Sequence, residues 1–447
     1  MARIYPFRAY RYDASRFDPA RVLTQPYDKI TPEMQERYYA LDAHNLVRIE
    51  KGREEPGDSA QSNVYTRAAQ TLQVWIRDGV LQQDSTPSFY ACSQEFAVPG
   101  TEQRRVRRGF VALLGLEDYS AGVVFRHEQT HSAARADRLE LLRHTRAHTG
   151  QLMMLYDDEG SRVTSLLEPV FRTAPENQFK DEYGVAHRLR PIYEAAAVRS
   201  LAAAMAAKKL LIADGHHRYE TSLAYRDECR AGEGAALPEA PHEKTLVTLF
   251  ALNDSGVTVL PTHRTVGGLS AFDFSAFRKS LAGIFDWYAY PFVEENQRGS
   301  VLAEFRHDLS ARAKGDSLRR AIGVYAGGGA FYLFVLRQDA DLGTLLEGVP
   351  VAQRSLDVVL LHRLLLERKM GVTAEAVERE KNIRYHRDAV EALAAVDSGA
   401  AQIAFLLNPE PARQVYDLAL AGNVLPQKST DFYPKLLSGM AIYRLDS

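Results

Sequence analysis

Cysteine and tryptophan are scarce, with two of each in 447 residues. Cys92 and Cys229 are too few and too far apart for a disulfide framework or a Cys-x-x-Cys zinc or redox site. Neither sign of charge dominates: 55 Lys+Arg stand against 57 Asp+Glu, a formal net charge of −2. The chain as a whole therefore has no electrostatic reason to take nucleic acid or an acidic membrane surface as partner. Long apolar runs are missing too. The most apolar stretch, Ala321–Leu336, is interrupted by Gly327-Gly328-Gly329 and is too short to span a bilayer. The opening residues have no apolar signal core, so a cytoplasmic protein is expected. No Gly-x-Gly-x-x-Gly turn, Gly-x-Ser-x-Gly elbow or protein-kinase signature occurs. Lys428-Ser429-Thr430 ends like a P-loop but lacks its preceding glycines, which excludes Walker-type binding while leaving these residues as candidates to reach a phosphate.

What is present is an ordinary globular composition, 46% hydrophobic and 25% charged, in a chain long enough for two or three domains. Thr31-Pro32 starts a helix, and Tyr65, Ala68, Leu72, Trp75 and Ile76 recur at helical spacing before Asp78-Gly79. Strands near 88–98 and 106–116 flank Pro99-Gly100 as a hairpin. Further strands are predicted at 152–156, 209–213, 244–252 and 257–261, the last two joined by a turn at Asn253-Asp254-Ser255-Gly256. Helices are predicted at 194–207 and 219–230. Residues 266–345 alternate helix and strand like a small α/β unit, and helices near 355–370, 387–394 and 411–421 follow. The organisation expected is a catalytic region over 1–265, a small α/β domain over 266–369, and C-terminal helices and a tail over 370–447 that return to the catalytic region.

The strongest local signal is Leu210-Leu-Ile-Ala-Asp-Gly-His-His-Arg218. An apolar strand ends, Asp214-Gly215 turns, and a helix begins with His216, His217 and Arg218. The first N–H groups of a helix lack intrahelical partners, and its dipole favours an anion there; two imidazoles and a guanidinium add directional donors. This is a phosphate or carboxylate site in outline. A second signal is His127-Glu128-x-x-His131, the spacing of a zincin metal site with Glu as base. The strand-like Val123–Phe125 before it argues against a helix. The longer pattern also needs Gly at 134 and His at 137, where Ala134 and Asp137 stand. No third ligand can be named, so no metal site is expected, and Glu128 reads instead as a base on a loop before a helix opened by Asp137-Arg138-Leu139-Glu140. Arg143, His144, Arg146 and His148 read as a solvated helical face or as a cationic wall.

His127-Glu128, Ala136-Asp137-Arg138-Leu139, Asp214-Gly-His-His-Arg-Tyr-Glu220 and Leu260-Pro-Thr-His-Arg264 occur together, in order. With Pro26-Tyr27-Asp28, Pro426-Gln-Lys-Ser-Thr430 and Phe432-Tyr-Pro-Lys435, they resemble the family catalogued as domain of unknown function 1015. The Asp-Gly-His-His-Arg turn also resembles that of free-serine kinases of the ParB/sulfiredoxin-like superfamily. In those enzymes a Pro-His-Glu supplies the glutamate that activates serine. Here the equivalent is Arg126-His127-Glu128, with Arg in place of Pro. A literal Pro241-His242-Glu243 lies just before a strand and is taken as coincidence. The resemblance implies a mixed α/β fold, with a ParB/sulfiredoxin-like core and a second, smaller α/β domain. It implies a kinase that moves a phosphoryl group from ATP or ADP, with Mg2+, to the hydroxyl of free L-serine. Glu128, beside His127, is then the catalytic base. Asp214, Gly215, His216, His217 and Arg218 hold the nucleotide phosphates, with Asp214 holding Mg2+ or orienting His216. Arg138, Lys428, Ser429 and Thr430 are the candidates for the substrate. The alternatives are a zinc hydrolase built on His127, Glu128 and His131, and a nucleotide-binding switch without catalysis.

Overall fold

The computed structural model describes residues 1–128, 132–233, 239–313, 320–426 and 428–446. Their chain forms two compact units, one made of residues 1–258 with 432–447, the other of 259–431. The fold is mixed α/β.

The first unit is built on a nine-stranded mixed sheet. Its strands are β1 (Ile4–Tyr5), β2 (Phe89–Ala97), β3 (Arg104–Gly115), β4 (Val124–Phe125), β5 (Leu152–Tyr156), β6 (Asn177–Lys180), β7 (Ala186–Ile192), β8 (Leu210–Asp214) and β9 (Lys244–Ala251). The order is β4-β8-β5-β9-β3-β2-β7-β6, with β1 pairing on β3. The hairpin of β2 and β3 forms as the Pro99-Gly100 turn predicts. Strand β9 is a near-continuous apolar run because both its faces are buried, and it pairs parallel to β5 and antiparallel to β3. It therefore does not form the predicted hairpin with 257–261. Among the helices of this unit are α1 (Val64–Arg77), α2 (Ser132–Thr145), α3 (Arg162–Phe171), α4 (Ala195–Met205) and α5 (His216–Glu233). Val163 and Leu167 of α3 and Leu201, Ala204 and Met205 of α4 pack with Phe110, Met154, Ile212 and Leu249 in one apolar core. A second core gathers Leu72 and Trp75 of α1 with Leu141 of α2 and with Leu437 and Ile442 of the tail. Helix α2 begins at Ser132, so Asp137–Glu140 lie inside it rather than opening it.

The second unit holds a six-stranded antiparallel sheet of β10 (His263–Val266), β11 (Phe285–Pro291), β12 (Ala321–Tyr325), β13 (Ala330–Leu336), β14 (Ile383–His386) and β15 (Ile403–Leu406), in the order β11-β13-β12-β15-β10-β14. Because β14 and β15 pair inside this sheet, residues 370–431 group with the second unit; only 432–447 return to the first, which corrects the expected boundary. The helix predicted over 355–370 is an α-turn, Asp357–Leu360, that continues as a π-helix, Leu361–Lys369. Among the described residues no helix is long and apolar enough to cross a membrane.

Candidate functional site

Strands β4 and β8 are parallel, with Val124 opposite Leu210 and Phe125 opposite Leu211. Their carboxyl ends therefore leave the sheet side by side, which sets Arg126-His127-Glu128 next to Ile212-Ala213-Asp214. A cleft beyond the carboxyl ends of parallel strands is where open α/β sheets bind ligands. On the other side of β8 the pairing with β5 slips by one residue between Ile212 and Asp214. Such a bulge re-aims the side chain that follows it. Gly215 then turns the chain at φ +99°, and α5 starts at His216. A Cβ at Gly215 would stand 2.8 Å from Leu152 Cδ2 and 3.1 Å from Arg218 Nη2, so only glycine fits here.

Asp214 is held between two cations. Lys435 Nζ lies 2.6 Å from its Oδ1, and Arg218 Nη2 donates to its Oδ2 at 2.9 Å. Burial alone would raise this carboxyl. Lys435 and then Arg218 outweigh it and hold the group well below the usual carboxylate range. Each oxygen thus accepts from one side-chain cation, Lys435 at Oδ1 and Arg218 at Oδ2.

Lys435 arrives from the C-terminal tail, whose backbone is clamped by two buried side chains. Arg107, fully buried on β3, donates to the carbonyls of Tyr433 (3.3 Å) and Pro434 (2.5 Å), and Gln94 Nε2 donates to Lys435 O at 3.0 Å. Arg107 also lies 4.5 Å over the Phe250 ring, and burial lowers it to about 10.

His127 is buried and its Nδ1 lies 2.9 Å from the Ile212 carbonyl. Only an N–H can face a carbonyl, so the proton sits on Nδ1 and Nε2 carries the lone pair. Burial pushes this imidazole below its ordinary pKa, which keeps it neutral. Glu128 Oε1 lies 4.0 Å from that Nε2 and is buried without a hydrogen-bond partner among the described residues. The His216 ring meets His127 edge-on at 4.7 Å; burial, then His127, push it well below the ordinary range, and its Nε2 is likewise buried and unpartnered. Arg218 completes the junction, donating from Nη1 to Gln151 O while its buried Nε has no partner among the described residues. His217 sits half-buried on the first turn of α5.

Arg138 projects from the middle of α2. It forks onto Asp137, donates from Nη1 to Glu50 O at 2.8 Å and stacks 4.2 Å over the Tyr27 ring. Lys428, Ser429 and Thr430 belong to the second unit. There Lys428 O accepts from Arg264 Nη2 at 2.7 Å and Ser429 Oγ donates to Pro426 O. From the C-terminal tail Lys435, the last residue of Phe432-Tyr-Pro-Lys435, reaches the junction by its ion pair with Asp214. His131 lies outside the described residues. The Arg143–His148 run is not a cationic wall: Arg143 is paired with Glu140 and Glu228, and burial lowers His148 to about 4, stacked on Tyr443. In Pro241-His242-Glu243 both Glu243 oxygens accept from Arg230 at 2.6 Å, which leaves no free base there.

Comparison with solved structures finds a conserved hypothetical protein from Pyrococcus furiosus at 14% identity and TM-score 0.33, covering 72% of this chain and 93% of its own. A mutant free serine kinase in complex with ADP matches at 10% identity and TM-score 0.33, covering 71% and 89%. C-terminally truncated SbnI from Staphylococcus aureus matches at 8% and 0.32, covering 71% and 82%. No curated protein matches the chain. The family model described as protein of unknown function (DUF1015) matches residues 4–359, a span that takes in the whole β4–β8–α5 junction, and the chain belongs to that family.

Proposed function

We propose that this protein binds ATP or ADP with its phosphates at the start of α5 and transfers one phosphoryl group to the hydroxyl of a small free amino acid, L-serine being the acceptor that the family resemblance implies. The observation that carries this reading is the gathering of unpartnered buried polar atoms at one helix start. Glu128 Oε1, His216 Nε2 and Arg218 Nε all lack partners among the described residues. Such atoms cost folding free energy unless a ligand completes them. An anion suits the helix N-terminus and Arg218, and a hydroxyl proton suits the carboxylate.

Phosphoryl transfer demands positioning and charge neutralisation rather than covalent chemistry by the protein. Gly215 lets the backbone approach the phosphates, and His216, His217 and Arg218 donate to them. Glu128 takes the acceptor's proton as the hydroxyl oxygen bonds to phosphorus and the bond to the leaving nucleotide breaks. His127, fixed by Ile212 O, stands beside Glu128 with its Nε2 4.0 Å from Oε1. The residues at hand fit a Mg2+ that arrives with the nucleotide and keeps phosphate and water oxygens, since Asp214 is already neutralised. Such an ion would supply charge neutralisation on the phosphates.

The test is incubation with ATP or ADP, Mg2+ and a panel of free amino acids, followed by mass spectrometry for phosphorylated product. O-phosphoserine is the expected product. A panel with no phosphorylated amino acid ends the reading.

A further inference from the structure

Where α3 ends at Phe171, the sheet of the first unit carries an open cavity of about 150 Å³ walled by Ser93, Arg108, Val170, Phe171, Arg188 and Arg190. The register of three strands builds it. Ser93 on β2 lies opposite Arg108 on β3 and Arg188 on β7, and Ala91, two residues earlier, lies opposite Phe110 and Arg190. Residues directly opposed, and residues two apart, share one face of a sheet. A small side chain on the middle strand therefore stands between guanidiniums from both neighbours. Ala91 and Phe110 continue the same face into the apolar core under α3.

These guanidiniums are under-used. Arg188 has one distant ion pair, Nη2 to Glu95 at 3.5 Å, and its Nε is buried with no hydrogen-bond partner among the described residues. Arg108 stands 4.0 Å from Glu168 and 5.7 Å over the Phe171 ring. Arg190 donates to Ala174 O. Arg104 and Arg172 draw on the same two acids, Glu95 and Glu168. Asp254, the other carboxylate at this strand, accepts from the Arg108 amide at 3.4 Å. Arginines thus outnumber acids around the cavity. The Arg108 and Arg188 side chains are 49% and 41% exposed, so pairs this long and this wet hold the guanidiniums weakly, and an anion can displace them.

We propose that this cavity is a second ligand site, which takes a small phosphate monoester. The dianionic head lies over Ser93 between Arg108 and Arg188, where two forks meet its oxygens. The carbon body rests on Val170 and Phe171. A void of this size takes a ligand of about benzene's bulk, which suits a short ester and excludes a nucleotide. The site is separate from the junction. Asp214 lies opposite Met153, Met153 opposite Thr248 and Thr248 opposite Val111. Val111 and Arg108 are three residues apart on β3, so their side chains leave opposite faces of the sheet. Strand β2 is also four positions from β8 in the strand order, about 19 Å at the usual spacing. The site therefore makes no use of the α5 start and does not depend on the phosphoryl-transfer reading.

The experiment is calorimetry on the full chain with n-propyl phosphate, inorganic phosphate and n-propanol, each titrated with and without excess ADP. Propyl phosphate is expected to bind whether or not ADP is present, inorganic phosphate to bind more weakly for want of the apolar contact, and propanol not to bind. Arg188→Ala and Arg108→Ala are each expected to weaken propyl phosphate about 10–100-fold, the fold-change of a lost charge-assisted hydrogen bond. Arg188→Lys, which keeps the charge and loses the fork, should fall between Arg188→Ala and the parent. Both arginines are half-exposed, and a fold lost in one variant leaves the other to decide. No binding of propyl phosphate, affinity unchanged in both alanine variants, or propyl phosphate bound no more tightly than inorganic phosphate overturns the proposal. Displacement of propyl phosphate by ADP overturns it too, because the ester would then sit where the nucleotide does.

Discussion

Lys435 reaches Asp214 across 221 residues of sequence to make a 2.6 Å ion pair at the foot of α5. The tail thus closes the junction: without it Asp214 keeps one cation, Arg218, and loses the other. Both side chains are largely buried, 9% and 19% exposed, so the pair behaves as an interior one. Lys435→Met is expected to cost about 3 kcal/mol of unfolding free energy, the low end for breaking a buried pair by removing one partner. Urea unfolding of the variant, of Asp214→Asn and of the double variant measures the coupling. Additive losses would show that the two side chains do not act together.

The same pair sets an acid dependence. The folded pKa of Asp214 is depressed, so its stabilising contribution is present above the unfolded value of about 3.9 and is lost as pH falls through the folded one. Asp214→Asn should therefore flatten the stability profile below about pH 4 and leave its shape near neutrality unaltered. An unchanged acid limb, followed by circular dichroism against pH, contradicts the assignment.

Glu128 and Arg218 separate rate from binding. Glu128→Gln keeps the shape of the side chain but accepts no proton, so kcat should fall by about 10²–10⁴-fold, the range of general base catalysis. Nucleotide affinity should survive. Arg218→Ala should instead weaken the nucleotide by about 1.5–3 kcal/mol. It should also destabilise the fold, since its guanidinium braces Gln151 O and Asp214. Full activity in Glu128→Gln would remove the mechanism.

The junction was legible in sequence because its parts are adjacent: an apolar strand, Asp214-Gly215 and a basic helix start announce themselves within nine residues. The pairing of β4 with β8 was not, since Val124–Phe125 is too short to carry a period and its partner lies far along the chain. Lys435 was hidden for the same reason. What places it is the clamp by Arg107 and Gln94, two polar side chains on neighbouring strands whose burial no local pattern reveals. Strand β7 escaped because Arg188 and Arg190 interrupt its apolar residues and Pro191 argues against a strand. The boundary at 370 failed because β14 and β15 have four residues each, too few to show alternation.

Gly215→Ala tests the turn itself. The backbone there is at φ +99°, which an L side chain rarely adopts, and the new Cβ would press on Leu152 Cδ2 at 2.8 Å. The strain costs about 1–3 kcal/mol. Because Arg218 stands 3.1 Å from the same point, nucleotide affinity should fall along with stability. A variant as stable as the parent in urea would show that the turn is not constrained as described.

The second unit carries the opposite pH dependence. Asp357 and Glu410 are both buried there, and Asp357 Oδ1 with both Glu410 carboxylate oxygens has no hydrogen-bond partner among the described residues. Burial, and then the facing Glu410, raise Asp357 to about 8 against the weaker pull of Arg320; burial also raises Glu410, against Arg320 and Arg264. A carboxyl with a raised folded pKa keeps a proton that the unfolded chain has released, so stability falls as pH climbs from about 4 toward about 8. Asp357→Asn stays neutral throughout and escapes this loss. Its melting temperature should exceed the parent's at pH 8 by at least about 2 °C, the shift that roughly 1 kcal/mol makes in a domain of this size, and by less at about pH 5. Calorimetric scans at the two pH values decide. A difference between variant and parent that does not grow with pH would mean the two acids do not share the interior as neighbours, because like charges forced together in a dry site must titrate upward.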